Sequence, residues 1–147
     1  MGYITNTDIE DRLGSSLYIQ LTDDAGIGSA DLDVVNAARL EAEGEADSYF
    51  ARRYAVPIDV TLHPNVSGLI KGFVLDLAEY RLNSRRPPVT EDVISKHDRA
   101  LEWFKSLASG ATELPSVATI STNSATGTAA QATGDARLLS REELSEY

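Results

Sequence analysis

The chain contains no cysteine in its 147 residues. It can therefore have neither a disulfide framework nor a thiolate metal site. No apolar run approaches the ~20 residues that a membrane-spanning helix needs. The N-terminal sequence MGYITNTDIEDR also lacks the basic and apolar regions of a signal peptide. These absences predict a protein that assembles in a reducing cytoplasm and has no membrane partner.

Basic residues are few relative to acidic ones. The formal net charge is −10, of which about −7 lies in residues 1–112 and about −3 in residues 113–147. Binding to the DNA backbone needs a basic surface that releases counterions. The composition instead suits a surface that DNA passes without binding specifically. The alternative is that the acidity only keeps the protein soluble.

Charge is absent altogether from Leu114 to Gly134, a strip rich in Thr, Ala and Ser. Such a strip buries too little apolar surface to offset the entropy of ordering it. We therefore divide the chain into a helical domain, residues 1–112, and an extended C-terminal arm, residues 113–147, that orders on a partner.

The arm has two candidate contact regions. Val117 and Ile120 lie in an alternating stretch that could add as a strand to an exposed sheet edge, or could lie as an irregular arm in a groove. Further on, Ser140 and Glu143 form a capping box that predicts a short terminal helical turn. Its candidate anchors on a partner are Leu138, Leu139 and Leu144.

The first 112 residues predict an all-α fold, a small helical bundle with two long helices. Apolar residues at three- and four-residue steps place the long helices at about residues 30–54, capped by Ser29 or Asp31, and 64–84, beginning at Pro64. The Thr7–Glu10 capping box predicts a short first helix that ends at Gly14, and a second short turn begins at Ser15 or Ser16. A last helix runs from a Thr90 cap to Gly110.

Small residues mark the predicted contact between the two long helices. Ala38, Ala42 and Ala46 form the middle of one apolar stripe, and Gly68 and Gly72 are four residues apart on the other helix. We expect these two sets to pack closely against each other.

Two charged clusters are candidate contact sites. One predicted helix carries four closely spaced acidic residues, Glu41, Glu43, Glu45 and Asp47. If copies of the chain formed a ring, these residues could line its channel as a negative belt. Alternatively, they could form an ordinary solvated helix face. Arg85 and Arg86 form the most concentrated basic spot. They could be a solvated loop, an ion-pair site for an acidic neighbouring subunit, or a DNA contact that the overall charge disfavours.

Catalytic signals are weak. The only histidines are His63, at a helix start, and His97, on an apolar helix face, where both suit structural roles. The chain carries no nucleophile motif and no phosphate-cradling glycine loop. The acidic loop at residues 22–29 places Ala25 and Ile27 where a calcium loop needs oxygen ligands. We expect no enzymatic activity, no cofactor and no metal.

Several segments together resemble a known family. They are Leu21-Thr22-Asp23 with its glycine loop, the run Ala46-Asp47-Ser48-Tyr49-Phe50-Ala51-Arg52-Arg53-Tyr54-Ala55-Val56-Pro57, Leu77-Ala78-Glu79-Tyr80-Arg81-Leu82 leading to Arg85-Arg86-Pro87, the Trp103-Phe104 pair and Gly110. About residues 1–112 resemble the Mu-like family of small tailed-phage neck proteins, which belongs with the helical head–tail adaptors. The run from Asp47 to Pro57 is the most specific part.

The resemblance implies a structural role in the virion neck, where Arg85, Arg86 and the candidate contact residues of the arm would meet another subunit or the portal. In the adaptor group, usually twelve copies form a ring beneath the portal, extend the DNA channel and present a surface to the next neck or tail-completion protein. Genomic DNA would pass through without specific binding. No catalytic residue is carried over, because the group has none. The alternative is a non-viral or regulatory helical protein-binding module, monomeric or dimeric.

Overall fold

The computed structural model describes residues 2–120, which contain five α-helices. Two short helices come first, α1 (Asn6–Leu13) and α2 (Ser15–Thr22). Three long ones follow, α3 (Leu32–Phe50), α4 (Pro64–Ser84) and α5 (Glu91–Ser109). The predicted all-α bundle is thereby confirmed, and α4 has the predicted bounds.

The three long helices form the bundle. The stacked pairs Tyr80–His97 and Phe73–Trp103 show that α5 runs antiparallel to α4. The third long helix, α3, packs against both, and α1 and α2 lie against α3 and α4. One end of the bundle therefore holds the end of α3, the start of α4 and the end of α5.

The core is built from the apolar stripes that the sequence predicts. Ala42, Ala46 and Phe50 of α3 are fully buried, as are Ile70 and Leu77 of α4. The short alanine side chains bring α3 close to its neighbours, and the aromatic side chains of α3, α4 and α5 fill the end of the bundle where Phe50 contacts Trp103 and Phe104.

Helix ends follow local chemistry, with one correction. Thr5, not Thr7, caps α1, and Asp8 completes the capping box by accepting a hydrogen bond from the Thr5 backbone N–H. Asp31 caps α3, and Gly110 ends α5 in the left-handed conformation, φ 83°. Because α3 ends at Phe50, it is shorter than the predicted 30–54.

The predicted packing of glycines against alanines is wrong. A Cβ atom added at Gly68 or Gly72 would have no neighbour within 4 Å. The buried side of α4 instead carries Val66, Ile70 and Val74. Residue 72 lies about 200° around the helix from residue 70, because each residue turns about 100°. The two glycines therefore face outward.

The start of the predicted arm is attached to the helical body. Leu114 is 4% exposed, and its N–H donates to the Tyr54 hydroxyl at 3.0 Å. Ile120 N–H donates to the Arg53 carbonyl at 2.7 Å, and Thr119 forms an isolated antiparallel bridge with Tyr54. The boundary at residue 112 thus places part of the packed core in the arm, and residues 113–120 form a strap over the end of α3.

Candidate interaction surfaces

The acidic positions of α3 divide into two pairs that point in different directions. Glu41 and Glu45 accept hydrogen bonds from the Arg81 guanidinium of α4 at 2.7 and 2.6 Å. Glu43 and Asp47 instead face the N-terminal segment. The four acidic residues therefore do not form one exposed negative face. Of the predicted negative belt, only the exposed Glu41 and the half-buried Glu45 could contribute.

Glu43 is a structural residue. It is only 8% exposed, accepts the Ile4 N–H at 3.1 Å and lies 3.5 Å from the Arg39 guanidinium. Its carboxylate also lies against Gly2, where a Cβ atom would collide with it. A side chain held in this way cannot present its charge to a channel.

Asp47 anchors the N-terminal segment through Tyr3. The Tyr3 hydroxyl donates to the Asp47 carboxylate and accepts the Ile58 N–H at 2.9 Å. Burial of the phenol and its hydrogen bond to Asp47 raise the pKa of Tyr3 well above its ordinary value. The segment therefore ties α3 to the loop that precedes α4. No local sequence pattern indicates this contact, because Tyr3 lies 44 residues from Asp47 and 55 residues from Ile58.

Arg85 and Arg86 clamp the loop between α2 and α3. Arg85 donates to the Leu21 carbonyl at 2.8 Å and pairs with Asp24, while Arg86 donates to the Asp23 carbonyl at 2.9 Å. The hydrogen bond from Arg85 lowers the pKa of Asp24. Both arginines thus have partners within the chain, an arrangement that none of the three sequence readings included.

The acidic residues of this loop serve its own backbone. Asp23 accepts the N–H groups of Ile27 and Gly28 at 3.1 and 2.7 Å, and the bond from Gly28 is the main cause of its lowered pKa. Within residues 2–120 there is no group of three His, Cys, Asp or Glu side chains placed to hold a metal ion.

The outward face of α4 carries a shallow groove, here called the α4 groove. Its volume is about 210 Å³, and it is lined by Gly68, Leu69, Gly72, Phe73 and Asp76 of α4 and by Arg12 of α1. Glycine inside a helix costs ~1 kcal/mol relative to alanine. No neighbour within the described chain requires either glycine, so the groove is open for contact with another segment.

Large apolar side chains are exposed elsewhere on the body too. The most exposed are Ile27 (75%), Leu62 (71%), Leu32 (59%) and Leu40 (59%). Leu62 lies just before α4, and Leu69 lines the α4 groove.

The histidines occupy structural positions. His97 is stacked on Tyr80 with ring centroids 3.9 Å apart, and its side chain is 17% exposed. The His63 carbonyl accepts the N–H groups of Val66 and Ser67 at the start of α4. In the part of the chain that is described, no helix is long and apolar enough to cross a membrane.

Only two of the candidate contact residues of the arm lie within the described residues. Val117 is half-buried against the core, and Ile120 remains 43% exposed. Both belong to the strap and pair within the chain rather than with a sheet edge. Leu138, Leu139 and Leu144 lie outside the described residues.

Comparison with known proteins identifies the family. No curated protein matches the chain. A family model described as "Bacteriophage Mu, Gp36" matches residues 3–133. The match extends beyond the 112 residues of the sequence resemblance and includes most of the uncharged strip. The chain is therefore a member of the bacteriophage Mu Gp36 family, and a structural component of a phage particle.

Proposed function

We propose that the chain is a head–tail connector of a tailed phage. In this role, copies of it, twelve by the symmetry of the adaptor group, form a ring beneath the portal protein. The ring extends the DNA channel and offers a docking surface to the next neck or tail-completion protein. The observation that carries this proposal is the family match over residues 3–133, which favours a virion part over the non-viral binding module.

The charge of the body supports passage of DNA rather than its binding. Most of the body's basic side chains are engaged by acids of the same chain. Arg81 holds Glu41 and Glu45, Arg12 pairs with Asp76, and Arg85 pairs with Asp24. The net charge of −10 is therefore not offset by a patch of unpaired cations at these positions. A ring of such subunits would repel phosphates along its lumen.

The exposed apolar side chains support assembly. A connector subunit must contact its two neighbours, the portal and the next protein. Ile27 and Leu32 lie at one end of the bundle, and Leu62 and Leu69 lie toward the other. This distribution provides apolar contacts at both ends, as a connector between two partners needs. The role is structural, and we assign no catalytic residue.

The decisive experiment removes the chain from a growing phage. A nonsense mutation in its coding sequence should yield DNA-filled heads and separate, complete tails, because the two halves assemble independently and lack only their junction. Supplying the full chain from a plasmid is the control and should restore joined particles. Joined, infectious particles at normal yield without the chain would refute the connector role. A cryo-EM map of the neck then tests the twelve-fold ring directly.

A further inference from the structure

The α4 groove is a surface whose shape the described part of the chain does not explain. Gly68 and Gly72 have helical backbone conformations, and neither has a neighbour within 4 Å of an added Cβ atom. Neither residue is therefore needed for a turn or for packing inside the bundle. Two glycines one turn apart do allow another backbone or a bulky side chain to approach the helix closely.

Apolar side chains surround this opening. Leu69, which lines the groove, is 46% exposed, while the half-buried Phe73 is stacked on Trp103 with ring centroids 4.4 Å apart. The groove thus combines two glycines with an exposed leucine and an aromatic ring, a surface that accepts leucine side chains.

The chain leaves the described body near the groove. Ile120 is bonded to Arg53 just beyond the end of α3, and this end of the bundle also holds the start of α4. Residues 121–137 can span about 56 Å when extended. The longest helix, with 21 residues, is only about 32 Å long. The residues after 137 can therefore reach the α4 groove of their own body or of an adjacent copy.

Residues 138–147 contain leucines that could fill the groove. With Ser140 as the helix cap and Glu143 as its capping-box partner, Leu139 precedes the cap and Leu144 is the fourth helical residue. Side chains at these two positions characteristically contact each other as a hydrophobic staple. The sequence therefore predicts a compact pair of leucines at the start of a helical turn.

The charges beside the groove are balanced within the body. Arg12 pairs with Asp76, which also lines the groove, and Lys71 of α4 pairs with Asp8. The proposed contact therefore rests on apolar packing rather than on charge.

We propose that residues 138–147 bind in the α4 groove, with Leu139 and Leu144 over Gly68 and Gly72. This segment lies beyond the family match, which ends at residue 133. The contact would cover the apolar face of α4 with a segment of the same chain. The proposal does not depend on the connector role.

Hydrogen exchange of the full-length protein tests the contact. The key variant is Gly72→Leu, which fills the groove where no atom of the described body is in the way. Its matched control is Gly44→Leu on α3, where an added Cβ atom also has no neighbour within 4 Å. In the wild type and the control, amides of residues 143–147 should exchange at least tenfold more slowly than in the isolated peptide. In Gly72→Leu they should exchange as the peptide does.

A second variant leaves the body unchanged. Leu139→Asp combined with Leu144→Asp should speed exchange in residues 68–73 and shift Trp103 fluorescence to the red, because Trp103 is stacked on the groove residue Phe73. Protection that is independent of protein concentration would show binding within one chain, and protection that rises with concentration would show binding to an adjacent copy. Equal exchange of residues 143–147 in the wild type and Gly72→Leu, or unchanged Trp103 emission in the double variant, would overturn the proposal.

Discussion

The contact of α3 with its neighbours depends on the small size of Ala42. This residue is completely buried, and Ala46, one turn further along, is buried as well. Replacing Ala42 by leucine adds three carbon atoms where none fits without moving a helix. Overpacking of this kind typically costs ~1–3 kcal/mol. At roughly 3–4 °C per kcal/mol for a domain of this size, we expect Ala42→Leu to lower the melting temperature by about 3–12 °C.

The matched control is Ala37→Leu, the same substitution on the same helix at an exposed position. It should change the melting temperature by no more than ~2 °C, because surface substitutions usually stay within about 0.5 kcal/mol. Thermal unfolding followed by far-UV circular dichroism, with calorimetry of all three proteins, measures both effects. If the two variants melted alike, the assignment of Ala42 to a tight helix interface would be wrong.

Three further predictions concern single contacts. Glu43→Ala should destabilise the fold by ~1–3 kcal/mol because it leaves the buried Ile4 N–H without an acceptor, whereas Glu41→Ala should cost less than about 1 kcal/mol. Urea unfolding measures both variants, and equal losses of unfolding free energy would contradict the structural role of Glu43. Truncation after residue 120 should preserve the melting temperature, whereas truncation after residue 112 should lower it because Leu114 leaves the core, and equal temperatures would show that the strap contributes nothing. The pKa of Asp24 is lowered from 3.8, so its ionised carboxylate stabilises the contact of Arg85 with the α2–α3 loop above about pH 4. This contribution should disappear as the pH falls through the lowered pKa. NMR titration of the loop amides in the wild type and in Asp24→Asn tests this, and identical acid transitions in the two proteins would exclude the contribution.

The helical architecture was predictable because it is encoded locally. Pro64 and the apolar steps along residues 66–77 define α4, and an αL glycine ends α5 where the sequence indicates. The true N-cap of α1 was missed because Thr5 and Thr7 both precede an acid three positions later. Only the backbone conformation distinguishes them.

The surfaces were less predictable, since their chemistry depends on residues far apart in the chain. Glu43 looks like its exposed neighbours until the N-terminal segment covers it, 39 residues away. Arg85 finds its partner Asp24 across 61 residues. The outward position of Gly72, by contrast, could have been derived from the sequence, because it lies opposite the stripe that contains Ile70 and Val74.

The described chain begins and ends at the same end of the bundle, so the two ends of the bundle can be told apart by labelling. Tyr3 binds at Asp47, and Thr119 pairs with Tyr54, so residues 3 and 119 both lie where α3 terminates. The opposite end carries the loops joined by Arg85 and Asp24. A small protein fused to the N-terminus would therefore mark one end of each subunit, and an insertion at Gly26 would mark the other. In an electron-microscopy map of the particle, the positions of these two labels would give the direction in which each subunit points along the particle axis.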